Sequence, residues 1–173
     1  MDEIGSEIAE TTRDGGAIPQ PVAPWPLAER PGFLMRRLHQ IHVSLFSERC
    51  GAFGVTPLQY SLLSLLAERG EADQTTLANA VALDRTTTTG ALKRLEARGL
   101  VERSAWLTDR RSQRCRATPA GRTLLQRMEE AARQAHDATL QPLSAEEQAI
   151  LIRLMKKVTA GHQQRRGAAG LLG

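Results

Sequence analysis

Four consecutive threonines followed by a glycine, Thr86 to Gly90, lie inside a segment whose apolar residues recur with the period of a helix. At 100° per residue Thr88, Ala91, Leu92 and Leu95 fall on one side, at i, i+3, i+4 and i+7, and form the stripe that must be buried. The opposite face is then Thr86, Thr89, Gly90, Lys93 and Ala97, flanked by Thr87 and Arg94. Threonine loses χ1 freedom in a helix, and a mid-helix glycine costs about 1 kcal/mol relative to alanine. A sequence chosen only for helix stability would hold neither. Threonine does offer a hydroxyl for a phosphate or base edge and a methyl for thymine, and glycine lets a helix backbone approach a groove closely.

The flanking residues fit the same reading. Asp73 caps a helix of about three turns in which Leu77, Ala78, Val81 and Ala80 point inward, and Leu83-Asp84 makes the turn into the threonine helix, which Asp84 caps. Small residues at Ala78 and Ala82 allow two helices to approach closely, as a helix-turn-helix requires. After Arg98-Gly99-Leu100, Val101 to Trp106 and Ser112 to Thr118 read as paired strands around the basic loop Leu107 to Arg111. An arginine at such a tip can enter a minor groove, with Asp109 placed to orient Arg111. Residues 84 to 122 carry ten Lys/Arg against four acids, a local +6 in a chain of net charge +4. That concentration suits attraction to a phosphate backbone, and the partner it implies is double-stranded DNA.

Aromatic residues make up only 3% of the 173, which favours an Ala/Leu helical core over a β-rich one. Residues 1–30 read as a disordered or loosely docked tail, with six acids and repeated Gly and Pro. A single domain then spans 31–162. Leu34, Leu38, Ile41 and Leu45 form one stripe on a first helix that ends near Cys50-Gly51. Thr56-Pro57-Leu58-Gln59 is a capping box opening a second helix, with Tyr60, Leu63, Leu66 and Ala67 inward and Leu62 and Leu65 beside them. Thr118-Pro119 opens a fifth helix with Leu124, Leu125, Met128, Ala131, Ala132 and Ala135 on its apolar side. Ser144 and Glu147 box the start of a last helix with Leu151, Leu154, Met155 and Val158 in its stripe, and 163–173 reads as a flexible tail. The fold class is mainly α with a small β-hairpin wing. Two cysteines are too few for a disulfide framework, no apolar run reaches a membrane span, and the acidic N-terminus lacks a signal-peptide core. The expected location is the cytoplasm, without a membrane partner.

The ordered set Thr56-Pro57-Leu58-Gln59-Tyr60, Leu77-Ala78, Asp84-Arg85-Thr86-Thr87-Thr88-Thr89, Leu95 to Arg103, Asp109-Arg110-Arg111 and Thr118-Pro119-Ala120-Gly121 resembles the multiple-antibiotic-resistance regulator (MarR) family of bacterial transcription factors. The resemblance covers roughly Phe33 to Val158, and the Asp-x-Arg of the loop followed by Thr-Pro-Ala-Gly is its most specific part. It implies a homodimer whose dimerising helices are 33–50 and 119–162, around a winged helix-turn-helix at 56–118. It also implies palindromic sites, with the fourth helix in the major groove and the wing in the minor groove. The DNA-binding residues would be Arg85, Thr86, Thr87, Thr89, Gly90, Lys93, Arg94, Asp109, Arg110 and Arg111. Many relatives have Asp-Pro early in the wing where this chain has Ala105-Trp106, so the wing's path is open. The first helix, Pro31 to Gln40, is similar to repressors of aromatic-acid catabolism, among them nicotinic-acid-degradation repressors released by 6-hydroxynicotinic acid. Arg36, His39, Gln40 and Tyr60 would then suit a small aromatic carboxylate as effector, with charged donors for the acid and an aromatic wall for the ring.

Other classes fit less well. A redox sensor of the same fold would use Cys50 or Cys115. The helix end beside Cys50 raises a thiol pKa, whereas Cys115 lies between Arg114 and Arg116. No phosphate loop, catalytic triad spacing or paired-carboxylate pocket is visible, so no enzymatic activity or cofactor is expected. His39 and His42 share a face, but Cys50 lies more than two turns on, and no metal site is expected.

Overall fold

The computed structural model describes residues 25–105 and 113–170, with side chains through 162. Most of the expected N-terminal tail lies outside this range. Six helices and three short strands follow in the order α1 (Pro31–Cys50), α2 (Pro57–Arg69), β1 (Glu71–Asp73), α3 (Gln74–Ala80), α4 (Arg85–Ala97), β2 (Val101–Ala105), β3 (Gln113–Ala117), α5 (Pro119–Leu140) and α6 (Ala145–Gly170). α6 is helical through Gly170, beyond 163, where a tail was expected.

The capping residues act as the sequence predicts. Gln59 N–H donates to Thr56 Oγ1 at 3.3 Å and Thr56 N–H donates to Gln59 Oε1 at 2.9 Å, a complete capping box. Asp73 and Asp84 use one device twice. Each carboxylate accepts from the backbone N–H and the hydroxyl of the threonine three residues on, Thr76 at 2.9 and 2.7 Å, Thr87 at 2.7 and 2.6 Å. The threonine hydroxyl first, then the backbone N–H, holds each carboxyl below its ordinary pKa.

The α4 stripe packs as read: Thr88, Ala91, Leu92 and Leu95 are fully buried. α5 packs on α1 and α2, and its Gly121 is obligatory. A Cβ there would sit 2.2 Å from the Leu100 carbonyl oxygen, and that carbonyl already accepts from Thr118 N–H at 3.1 Å.

The structure corrects several expectations. The sheet has three strands, in the order β1-β3-β2, because Glu71–Asp73 pairs antiparallel with β3, Ala72 opposite Cys115. A three-residue strand is too short to show a period of two, so only its partner defines it. α3 has two turns, not three, and Ala80 is exposed. Ala82 is also exposed. Its φ of 55° makes it the left-handed residue of the turn rather than a close-packing one. In α2 the buried face centres on Gln59, Leu62, Leu63 and Leu66, leaving Tyr60 and Ala67 partly covered.

The α1 stripe differs most. Within one chain Leu34 is 50% and Ile41 48% exposed, and the face turned to α5 carries His42, Phe46 and Cys50 instead. His42 shares a 3.0 Å hydrogen bond with Thr139, stacks on His136 at 4.8 Å and tilts toward Phe46, which in turn meets Tyr60 at 5.5 Å. α6 buries nothing in its own chain among the described side chains, and Ile150, Ile152, Leu154, Met155 and Val158 stay exposed.

Two stability predictions follow from this packing. The Thr88 hydroxyl is buried without a hydrogen-bond partner among the described residues. Thr88→Val keeps the shape and β-branch, and should raise stability by about 1 kcal/mol in urea unfolding; a loss of that size would show that the hydroxyl is satisfied. Burial first, then the charges of His136 and His39, lowers the His42 pKa. A depressed folded-state value means that folding prefers neutral His42. Its contribution is full above about pH 6.5, the unfolded value, and fades as pH falls through the folded one. The melting temperature should therefore drop on acidification from pH 7 to 5, and His42→Gln should flatten that dependence.

Candidate nucleic-acid interface

The four threonines of α4 point in four directions, and the structure gives each a different task. Thr88 enters the core. The Thr87 hydroxyl is held by Asp84. The Thr89 hydroxyl donates to Gln74 Oε1 at 3.1 Å. Thr86 alone of the four is turned to solvent without a cap to make, and it lines a shallow outward groove with Arg85, Thr89, Gly90 and Lys93. Two of the expected contact residues thus have their hydroxyls engaged within the chain. The Thr87 hydroxyl donates to the capping carboxylate of Asp84 at 2.6 Å. Thr89 presents its groove-side surface while its hydroxyl is tied inward.

Gly90 has no internal reason to be glycine. A Cβ there would meet only Arg94 Nη1 at 3.8 Å. Gly121 is demanded by a backbone oxygen, whereas Gly90 leaves room on the outer face. Among the described residues no close contact offsets its helix cost of about 1 kcal/mol.

The basic block also divides. Arg103 pairs with Glu96 at 3.0 Å, Arg114 with Glu71 at 3.2 Å and Arg116 with Glu102 at 3.0 Å, so three wing arginines are neutralised within the sheet region. Arg98 donates to the carbonyls of Gly54 and, at 3.0 Å, of Phe53. Among the described residues, Arg85, Lys93 and Arg94 have no acidic partner within 4.0 Å, and they edge the α4 groove or its last turn. Arg122, at the end of the block, also lacks an acidic partner among the described residues and donates to the Ala67 carbonyl at 3.3 Å, so the unpaired charge on α4 itself is that of Arg85, Lys93 and Arg94. Asp109, Arg110 and Arg111, and Trp106 before them, lie outside the described residues.

The expected effector residues separate. Arg36 and Gln40 line a groove on α1 with Phe33, Arg37, Ile41 and Ser44. His39 and Tyr60 are not part of it: Tyr60 packs on Phe46, and His39 lies close enough to bear on the His42 charge. The sets lie on different faces, because positions 36 and 40 share one side of α1 while His42 turns toward α5. His42, His136 and Thr139 were missed as a group. The i, i+4 spacing of Leu38, His42 and Phe46 was the available signal, but only docking of α5 adds His136. Gln74 and Gln113, which share a 2.9 Å hydrogen bond, had no signal in the sequence.

Both thiols are buried. Burial raises the Cys50 pKa and pushes Cys115 up to about 11. The flanking Arg114 and Arg116 do not activate Cys115, because side chains alternate along β3 and theirs turn to Glu71 and Glu102. Among the described residues no three His, Cys, Asp or Glu side chains are placed to hold a metal ion, and no single helix is long and apolar enough to cross a membrane.

Comparison with known proteins gives this geometry a family. The MarR family model matches residues 55–113. The HTH-type transcriptional repressor NicR of Pseudomonas putida is 32% identical over 135 residues, 78% of this chain and 85% of that protein. The structure of Bordetella bronchiseptica BpsR, described in terms of regulation of its DNA binding by 6-hydroxynicotinic acid, superposes with a TM-score of 0.73 at 31% identity, covering 79% of this chain and 98% of that one. The PcaV regulator of Streptomyces coelicolor with its natural ligand superposes with a TM-score of 0.69 at 31% identity over 80% and 98% of the two chains. Helix-turn-helix, wing and relatives agree: the chain belongs to the MarR family of transcriptional regulators, among its NicR-like members.

Proposed function

We propose that this regulator is a repressor that binds a palindromic operator in the bacterial cytoplasm as a homodimer and is released by a small aromatic acid, with 6-hydroxynicotinic acid as the candidate. The observation that carries the DNA reading is the outer face of α4, where Arg85, Thr86, Gly90 and Lys93 gather free charge and an open backbone without an internal purpose. In this reading α4 enters the major groove, and Arg110 and Arg111 of the wing reach the minor groove, with Asp109 orienting them. Arg94 meets a phosphate at the groove's edge.

The dimer is supported by the apolar residues that one chain leaves uncovered, Leu34 and Ile41 on α1 and Ile150, Leu154, Met155 and Val158 on α6. A two-fold pairing would bury them and set two α4 helices about 34 Å apart, one turn of DNA. The effector reading is supported by the names of NicR and BpsR, and by Arg36 beside Gln40 on α1, which supply a cation and an amide to a carboxylate. Ligand releases DNA by binding better to a dimer whose helices no longer match successive grooves. Its power is limited to that difference in affinity.

A redox switch on Cys50 or Cys115 gains no support from thiols that are buried and raised in pKa. Mild peroxide should leave operator affinity unchanged, and Cys115→Ser should behave like wild type; peroxide-induced release abolished by that substitution would restore the redox reading.

The direct test is duplex binding. Full-length protein should enrich a palindromic duplex from a random pool and bind it with a steep negative salt dependence. Arg85→Ala or Arg111→Ala should weaken binding about tenfold or more, a loss in the range of 1–3 kcal/mol for one good contact, while the oligomeric state by light scattering stays that of wild type. Adding 6-hydroxynicotinic acid should release the duplex. Binding that ignores salt and both substitutions would defeat the DNA assignment, and release by no aromatic acid would defeat the effector assignment.

A further inference from the structure

Behind the outer face of α4 a chain of polar side chains leaves the helix and returns to it. The Thr89 hydroxyl donates to Gln74 Oε1 at 3.1 Å. Gln74, at the start of α3 and only 8% exposed, donates from Nε2 to Gln113 Oε1 at 2.9 Å. Gln113 is the first residue of β3, and its Oε1 also accepts from Arg103 Nη2 on β2. Arg103 Nη1 then donates to Glu96 Oε2 at 3.0 Å, back on α4. Thr89 and Glu96 are seven residues apart, about two helical turns and nearly in line along the helix. The recognition helix is thus held at two points, one turn-pair apart, against the first helix of the helix-turn-helix and both strands of the wing. One anchor would leave α4 free to roll about it. Two anchors fix both its tilt and its rotation relative to the wing.

Local structure does not need this chain. α4 is capped by Asp84 and buried by Thr88, Ala91, Leu92 and Leu95 without it. A buried glutamine between two polar partners adds less stability than an apolar residue of its size, because its desolvation offsets most of its hydrogen-bond gain. What the chain does supply is a fixed geometry between two elements that must enter adjacent grooves together.

We infer that Gln74 is a positioning residue for operator recognition: it locks the roll of α4 to the base of the wing, and Thr89 acts in recognition through it. This rests on the DNA-binding reading above. Removing the lock should damage selectivity, which needs both readers in register, and spare the charge-driven attraction to any duplex.

The experiment uses the full-length protein and the duplex it enriches from a random pool, with a scrambled duplex of equal length as reference. Gln74→Leu, Gln113→Leu and Thr89→Val should each lower the enriched-to-scrambled affinity ratio about tenfold, the size of one misread base pair. The salt slope should stay at the wild-type value, because no phosphate-facing charge changes. The double variant Gln74→Leu/Thr89→Val should fall no further than either single one, as members of one network do. Gln113 is exposed, so its variant tests the lock even if Gln74→Leu fails to fold. The inference is overturned if Gln113→Leu and any folded Gln74→Leu keep the wild-type ratio, including the case in which only the melting temperature falls. It is overturned as well if the Gln74 and Thr89 losses multiply, since Thr89 would then contact DNA on its own. A wild-type protein that enriches no duplex defeats the DNA-binding reading itself, a result distinct from either of these.

Discussion

The seat of α5 on the turn that ends α4 rests on one close approach, the packing of Gly121 on the Leu100 carbonyl. No side chain fits there, since a Cβ would lie 2.2 Å from the oxygen. The same oxygen accepts from Thr118 N–H, and the Thr118 hydroxyl donates to the Gly99 carbonyl at 2.7 Å. Thr118 is at once the cap of α5, through Gly121 N–H at 3.1 Å, and a strap on the turn that ends α4. The long helix α5 is thereby seated where α4 stops and β2 begins. Gly99, at φ 67°, makes that turn left-handed, which a residue with a Cβ adopts at a cost of about 1–2 kcal/mol.

With that joint fixed, α4 is free to divide its surface. Its buried stripe is short but complete, and its cap is an aspartate that also fixes a threonine hydroxyl. A run of four threonines looks like one feature in the sequence, yet successive 100° steps send the four side chains to a groove, a cap, a core and an inner hydrogen bond. The weak helix propensity of the run is therefore not spent on one contact surface. Thr86 and the missing side chain of Gly90 open the outer face, and the other three hold the helix in place. The buried, unpartnered hydroxyl of Thr88 is the one member whose chemistry the described structure does not use.

What could be read in advance follows the range of the forces involved. Caps and periodic stripes act over three to seven residues, so Thr56, Asp73, Asp84, Thr118 and the α4 stripe were legible, and with them the winged helix-turn-helix. β1 was not, because Glu71–Asp73 becomes a strand only when β3 lies beside it. Ala82 was read as a packing residue because small size is visible in a sequence and a positive φ is not. The Leu34-Ile41 stripe was correctly periodic but faces away from its own chain, since the stripe encodes an apolar face and not its partner. The charge of the basic block was visible as a sum. Its partition needed the fold, which sets Arg103, Arg114 and Arg116 against acids from other elements and leaves Arg85, Lys93 and Arg94 outward. Gln74 was invisible for the same reason: its partners Thr89 and Gln113 are 15 and 39 residues away and reach it only in the folded chain.

The same joint gives a physical route from α1 to the end of α4. α1 runs into the turn Gly51–Phe53, and Gly54, left-handed at φ 65°, closes it. The carbonyls of Phe53 and Gly54 accept both ends of the Arg98 guanidinium, and Arg98 is the residue that ends α4. A shift of α1 relative to α2 therefore pulls on the end of α4 through two charge-assisted hydrogen bonds, not through a diffuse core. At its other edge α1 is tied to α5 by the His42–Thr139 bond and the His42–His136 stack, and α5 is seated on Leu100 by Gly121. Both ties from α1 thus converge on residues 98–100. On the proposed effector reading, a ligand that bound one seating of α1 better than another would bias α4 through these ties, by as much as its affinities for the two differ.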